Sequence, residues 1–325
     1  MTITKPTPEI PRDRYGRPMV TPAGGGKQIA YTRCTTFIDV LEDKYNLQKW
    51  MQRMVALGLA SRPDLVLSVN AHRDDKAHLD RVCEDAREAA GASNAATDGT
   101  SLHALTEIID RGGNLPDGLP DNIKASLNAY AEATKDLRCV HIEQFCVLDT
   151  LKVGGTPDRV VAYKGKRYIA DLKTGSIEWG ALKIAMQLAV YARSWVYDIA
   201  TGERSRHDAD LTKGLIIHLP VVADPADAVC TLHWVDLVEG WRAVILARQV
   251  RAKRSLKFRD LTTPYAGSLE FAVPEPAAGP SLLEQIAGCA TADDVRALWA
   301  ANAAAWSDDL TAAAKAHIES LPAAS

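Results

Sequence analysis

The spacing of apolar positions along the chain changes period several times, and each change predicts a new element. Leu47, Trp50, Met51, Met54 and Val55 recur at helical spacing, which predicts an amphipathic helix over 39–59 with its apolar stripe on a core. A second helix is expected over 76–90. In "TSLHALTEIIDRG", Leu102, Leu105 and Ile109 share one face, and Gly112 suits the end of that helix. His103 and Glu107, four residues apart, are neighbours on another face.

The period then shortens. "CVHIEQFCVLD" (139–149) and "DRVVAYKGKRYIADLK" (158–173) read as three strands, the last two joined through "KGK" as an antiparallel hairpin. A helix follows at about 179–198, then strands at 215–220 and 229–237, then a helix over 237–256. That last helix runs into "RQVRAKRSLKFR", a basic stretch that includes Arg248, Arg251, Lys253, Arg254, Lys257 and Arg259. Residues 265–281 have the Pro, Gly and Ala content of a linker. Beyond it, 281–321 is Ala-rich and helical, with Thr291 and Ser307 as N-caps and Trp299 and Trp306 as apolar anchors.

Composition narrows the class. The chain has 325 residues, 47% of them hydrophobic, a net charge of -3 and six cysteines with no C-x-x-C pair. A balance so close to neutral excludes a polybasic protein, so any nucleic-acid contact must come from a local patch. The scattered cysteines read as reduced thiols in a cytoplasm, and no apolar run is long enough to span a bilayer. Residues 1–28 read as a flexible arm, because "AGGGK" fails as a phosphate-binding loop: Thr21 stands at the first glycine position and Gln28 follows Lys27.

The hairpin carries the chemistry. Asp171 and Lys173 are two apart on a strand and share a face with Ile169, while Ala170 and Leu172 face the other way. Asp158 opens the partner strand, and Glu143 can join if the preceding strand pairs alongside. Carboxylates gathered within about 4–6 Å repel unless a cation sits between them. Oxygen ligands suit Mg²⁺ or Mn²⁺, a retained water can be a nucleophile, and Lys173 can orient or deprotonate it. The competing explanation is a structural salt-bridge network.

Gly99, His103 and Glu107, then Gly155 and Asp158, then Asp171, Lys173, Thr174 and Gly175, then Gln187 and Tyr191 together resemble the PD-(D/E)XK nucleases, in their RecB-like branch. The resemblance is strongest over about 95–195, and the stretch before it is similar to phage-encoded exonucleases. It implies metal ligation by His103, Asp158, Asp171 and the Leu172 carbonyl, support from Glu143 and Glu107, and Lys173 as the catalytic lysine. It also implies that Gln187 and Tyr191 line the site and, with Thr174, contact DNA. Arg248, Arg251, Lys253 and Arg254 would neutralise phosphates. Related exonucleases that hold an iron–sulfur cluster group their cysteines; these are not so grouped, and no cluster is expected.

The resulting expectation is a restriction-endonuclease-like α/β core with a mixed central sheet flanked by helices. Its boundaries are an N-terminal arm and helical extension (1–95), a nuclease core (96–262), a linker (263–280) and a small helical appendage (281–325). The expected activity is Mg²⁺- or Mn²⁺-dependent hydrolysis of DNA from its ends in phage or bacterial recombination or repair. The rivals are an endonuclease and a catalytically silent DNA-binding subunit. A recombinase, a single-strand annealing protein or a helicase on another chain would be the protein partner.

Overall fold

The computed structural model describes residues 9–92, 94–264 and 280–321. The chain divides into two compact units, 1–255 and 256–325. The first opens with β1 (Met19–Val20), β2 (Ile29–Ala30), β3 (Thr32–Arg33) and α1 (Cys34–Ile38). Helices α2 (Tyr45–Ser61), α3 (Pro63–Ala71), α4 (Lys76–Ala89), α5 (Asn94–Asp110) and α6 (Asp121–Thr134) follow. Then come β4 (Arg138–Ile142), β5 (Cys146–Leu148), β6 (Val153–Gly155), β7 (Arg159–Tyr163) and β8 (Lys166–Lys173). The unit closes with α7 (Ala181–Ala192), β9 (Trp195–Tyr197), β10 (Arg204–Ser205), β11 (Lys213–His218), β12 (Thr231–Asp236) and α8 (Leu237–Arg254).

Two five-stranded mixed sheets organise this unit. The larger has the order β12-β11-β8-β7-β4, with β8 and β11 parallel and its other pairs antiparallel. The smaller has the order β10-β9-β5-β6-β3, with β3 and β6 parallel. Strand alternation decides which layer covers which face of the larger sheet. Tyr168, Ala170 and Leu172 of β8 pack with Leu102 of α5 and with Leu127 and Tyr130 of α6. Ile169 of the same strand packs on the opposite side with Leu188 of α7 and with Leu237 and Val244 of α8. The larger sheet is therefore sandwiched between helical layers, which makes the fold mixed α/β, consistent with the expected restriction-endonuclease-like core.

Several expectations need correction. The stretch 139–149 is not one strand: β4 pairs with β7 in the larger sheet, and β5 pairs with β6 and β9 in the smaller. The predicted helix over 39–59 begins as a 3-10 turn at Asp39–Leu41 and resumes as α2. Its apolar stripe is not core, since Leu47 is 50% and Trp50 39% exposed, and only its far end packs, through Val55 and Leu59, with α3 and α4. Gly58 permits that packing, because a Cβ there would lie 1.8 Å from the Ala86 carbonyl oxygen of α4. The segment 9–28 is not a free arm: Ile10 and Val20 are buried with Phe145, Val147 and Tyr197 of the smaller sheet. Helices α3 and α6 carried no clear signal and were not expected.

The second unit contains α9 (Phe258–Leu261), α10 (Leu282–Gly288), α11 (Ala292–Ala301) and α12 (Asp308–Ser320). Thr291 and Ser307 do cap their helices, accepting from the Asp294 and Leu310 backbone amides. Trp306 packs with Ile286, Val295 and Ala314, whereas Trp299 is 53% exposed and does not anchor. Most of the expected linker, 265–279, lies outside the described residues. Among the described residues no helix is long and apolar enough to cross a membrane.

Candidate active site

Four segments bring the expected carboxylates together. His103 comes from the middle of α5, Asp158 from the residue before β7, Asp171 from the end of β8, and Glu143 from the break between β4 and β5. One ligand atom each from His103, Glu143 and Asp158 lie within 4.8 Å of one another. His103 Nε2 is 3.1 Å from Asp158 Oδ2, which also accepts a hydrogen bond of 2.8 Å from the Leu172 backbone amide. Lys173 Nζ lies 2.6 Å from Asp171 Oδ2.

Glu143 reaches the cluster through its backbone. Its φ is +50°, left-handed and uncommon outside glycine, at a cost of roughly 1 to 2 kcal/mol. Its amide is held there by the Asp158 carbonyl at 3.0 Å. A local strain retained next to a charged cluster is characteristic of functional sites.

The protonation of the cluster shows that it is not self-sufficient. Burial, reinforced by the charges of Asp158 and Glu107, pushes the Glu143 carboxyl up to about 7. Burial and Asp158 push Asp171 up to about 6 against the pull of Lys173. Burial also opposes ionisation of Asp158, but the bonds from His103 and the Leu172 amide prevail and hold it below its ordinary value. Asp158 in turn raises His103. Asp171 Oδ2 is buried, and the Lys173 ammonium is the cation beside it. Clustered carboxylates and one imidazole, with Glu143 and Asp158 within reach of His103, are a donor set that suits a divalent cation. Glu143, raised by burial and by two neighbouring carboxylates, counts against a merely structural salt-bridge network, in which each acid would face a cation.

The surrounding glycines have steric reasons. A Cβ at Gly99 would lie 2.5 Å from Thr174 Oγ1, so glycine lets α5 approach the end of the strand that carries Lys173. A Cβ at Gly155 would lie 2.7 Å from the Tyr191 hydroxyl, so Tyr191 occupies the space that this glycine leaves open. Tyr191 is only 4% exposed, and burial raises its phenol well above the ordinary range. It packs against Cys34 and Gly155, which leaves little of its surface facing outward. Gln187, half-buried, is within hydrogen-bonding reach of the Tyr191 hydroxyl. Glu107 bonds Arg111 at 3.4 Å and bears on Glu143 through its charge.

The basic residues gather elsewhere. Arg248, Arg251 and Arg254 line a groove of about 950 Å³ with Phe37 and Tyr45, while Lys253 is exposed outside that lining. Arg251 donates to the Thr36 carbonyl at 3.2 Å and stacks 5.1 Å from the centre of the Phe37 ring. Asp39, Glu42 and Asp43 line the groove too, and Lys183 of α7 pairs with the first two at 2.9 and 3.5 Å. Lys257 and Arg259 belong to the second unit.

One participant escaped the sequence. Arg159, next to Asp158, is 1% exposed and forms an ion pair with Asp110 of α5. It also donates to Thr106 Oγ1 at 2.7 Å and approaches His103 Nε2 at 3.4 Å. The Tyr130 hydroxyl donates to both Asp110 oxygens, at 2.8 and 2.9 Å. A residue type that usually sits in water gave no hint of this burial.

Residues 67–204 match the family model described as the PD-(D/E)XK nuclease superfamily. That segment contains His103, Glu143, Asp158, Asp171, Lys173, Gln187 and Tyr191. No curated protein matches the chain. The match, the sandwiched mixed sheet and the donor set together point to a metal-dependent nuclease that acts on DNA.

Proposed function

We propose that the protein is a Mg²⁺- or Mn²⁺-dependent deoxyribonuclease of the RecB-like type that degrades DNA from its ends. The observation that carries this is the convergence of His103, Glu143 and Asp158 within 4.8 Å beside the Asp171–Lys173 pair. His103, Asp158, Asp171 and the Leu172 carbonyl would hold the ion, with Glu143 completing the acidic set. When bound, such an ion polarises a phosphoryl oxygen and lowers the pKa of a water.

The remaining steps belong to the chain. The Lys173 side chain is 30% exposed while its Nζ stays at Asp171, so it can face both the buried carboxylate and an incoming phosphate. From there it orients the attacking water and offsets the charge that gathers on the phosphate oxygens. Arg159 holds α5 against β7 and so keeps His103 at Asp158. Gln187 steadies Tyr191 behind the site, and Thr174, half-exposed after Lys173, is within reach of a phosphate oxygen. Arg248, Arg251, Lys253 and Arg254 would take the backbone of the same DNA further along, which makes binding salt-dependent.

The products would be a 5′-phosphate and a 3′-hydroxyl, and the setting recombination or repair in the cytoplasm of a bacterium or a phage-infected cell. A recombinase, an annealing protein or a helicase on another chain is the fitting partner. The test incubates end-labelled linear duplex, closed circular duplex and single strands with Mg²⁺ or Mn²⁺, using Lys173→Ala as control. Loss of label from linear DNA with circles left intact is expected. Cutting of closed circles replaces the exonuclease with an endonuclease, and binding without cutting on any substrate replaces the enzyme with a silent DNA-binding subunit.

A further inference from the structure

The five residues after Thr174, "GSIEW", join the end of β8 to the turn that enters α7. The start of this loop is tied down. His218 Nε2 lies 3.0 Å from the Gly175 carbonyl oxygen, and the Val221 amide donates to the Thr174 carbonyl at 3.3 Å. In the middle, Ile177 packs against the core beneath α7 and α8. Gly180, at φ +88°, then turns the chain into α7 in a conformation that other residues rarely adopt.

Between these fixed points Trp179 is 82% exposed, a value matched only by Phe258 among the exposed large hydrophobic residues of the described chain. Leu182, one turn on, adds a further apolar surface at 49% exposure. A single exposed apolar side chain is ordinary, but a large flat ring on a pinned loop six residues after Lys173 is not randomly placed. Six extended residues reach at most about 20 Å, or roughly six steps of 3.4 Å along a DNA strand.

We infer that Trp179 is a positioning residue that stacks on a base of the strand being cut, within about six nucleotides of the scissile phosphate. This inference rests on the nuclease function proposed above. A base is the component of DNA that offers a flat apolar face, and stacking on an aromatic ring tolerates any sequence. Anchoring the indole's loop at its start and at Ile177 lowers the entropy lost when a base stacks on it. The indole would hold the strand while Lys173 and the carboxylates act on its phosphate, so its loss should fall on DNA affinity and KM more than on kcat.

The experiment measures binding of labelled oligonucleotide duplexes by fluorescence anisotropy to the full-length Lys173→Ala protein, with and without Trp179→Ala or Trp179→Phe. Abasic sites are placed singly at each of the first six positions from the end. Trp179→Ala should weaken binding of intact DNA about 5- to 150-fold, and Trp179→Phe should recover most of it. At one position the abasic site should cost Trp179 protein the same factor and cost the Ala variant nothing more, because the two changes remove one contact. The inference is overturned if Trp179→Ala binds intact DNA as well as its parent, or loses the same factor on every abasic duplex. It is equally overturned if the variant alters only self-association in sedimentation, which would make the indole a protein contact. Wild-type protein that neither cuts nor binds any DNA overturns the nuclease function itself, a result distinct from cutting and binding left unchanged in Trp179→Ala.

Discussion

Two charged clusters hang from the same two elements, α5 and the start of β7, and they are finished to different degrees. In one, Arg159, Asp110, Thr106 and Tyr130 are mutually bonded and shielded from water. In the other, His103, Glu143 and Asp158 crowd together beside Asp171, and burial with mutual repulsion drives two of the carboxyls toward neutrality. A buried ion pair contributes little net stability but is costly to break, whereas a cluster with an open valence is costly until something fills it. The first therefore suits a scaffold and the second is a candidate metal site, although a single residue boundary, between Asp158 and Arg159, separates them.

That contrast can be broken experimentally. The largest effect is expected on turnover: Asp171→Asn and Lys173→Ala should each lower nuclease activity by about 10²- to 10⁴-fold. In chelator, Asp171→Asn should leave the melting temperature unchanged or higher, because it removes repulsion. A large drop there would place the open cluster with the structural one.

The reverse pattern is expected from Arg159→Met, which strands Asp110 in the interior. A cost of about 3 to 5 kcal/mol, or roughly 6 to 20 °C in a unit of this size, should appear in thermal melts. Pairing it with Asp110→Leu should restore most of the loss.

A smaller shift reports the ion. Mn²⁺ at a hundred times its dissociation constant should add about 2.7 kcal/mol of stability, and the increment should vanish in Asp171→Asn. Calorimetry with and without the ion reads it directly.

The smallest effect is on pH. The Glu143 carboxyl has an ordinary value of 4.5 and is raised to about 7 in the fold. The native state thus binds a proton more readily than the unfolded chain, and stability in chelator falls as pH rises from about 4.5 to 7. Partial exposure should limit that loss to about 1 kcal/mol. Glu143→Gln should flatten it in urea titrations at pH 5 and 7.5, and an unchanged slope would acquit Glu143.

Local patterns announced what local forces decide. The hairpin of β7 and β8 was readable because alternation and a short glycine turn act within a few residues, and Thr291 and Ser307 were readable because a cap bonds three residues ahead. The break at Glu143 was not readable, since "CVHIEQFCVLD" contains no Gly or Pro to mark a turn and only its distant partners assign its halves to different sheets. Nor was the burial of Arg159, whose counter-ion lies 49 residues away. Tyr191 was picked out by spacing alone, and spacing could not tell a ring that faces a ligand from one that fills the gap over Gly155. The site residues were legible as a set because their chemistry is unusual in company, even where the role of each was not.

The kink at Glu143 has one further consequence. Asp158 and Asp171 are assembled once the larger sheet forms, but the third acid arrives only where the chain leaves that sheet for the smaller one. Its amide is nonetheless held by the Asp158 carbonyl, so one backbone hydrogen bond ties two of the clustered acids together. A displacement of the chain at this kink would therefore be felt by both carboxylates at once.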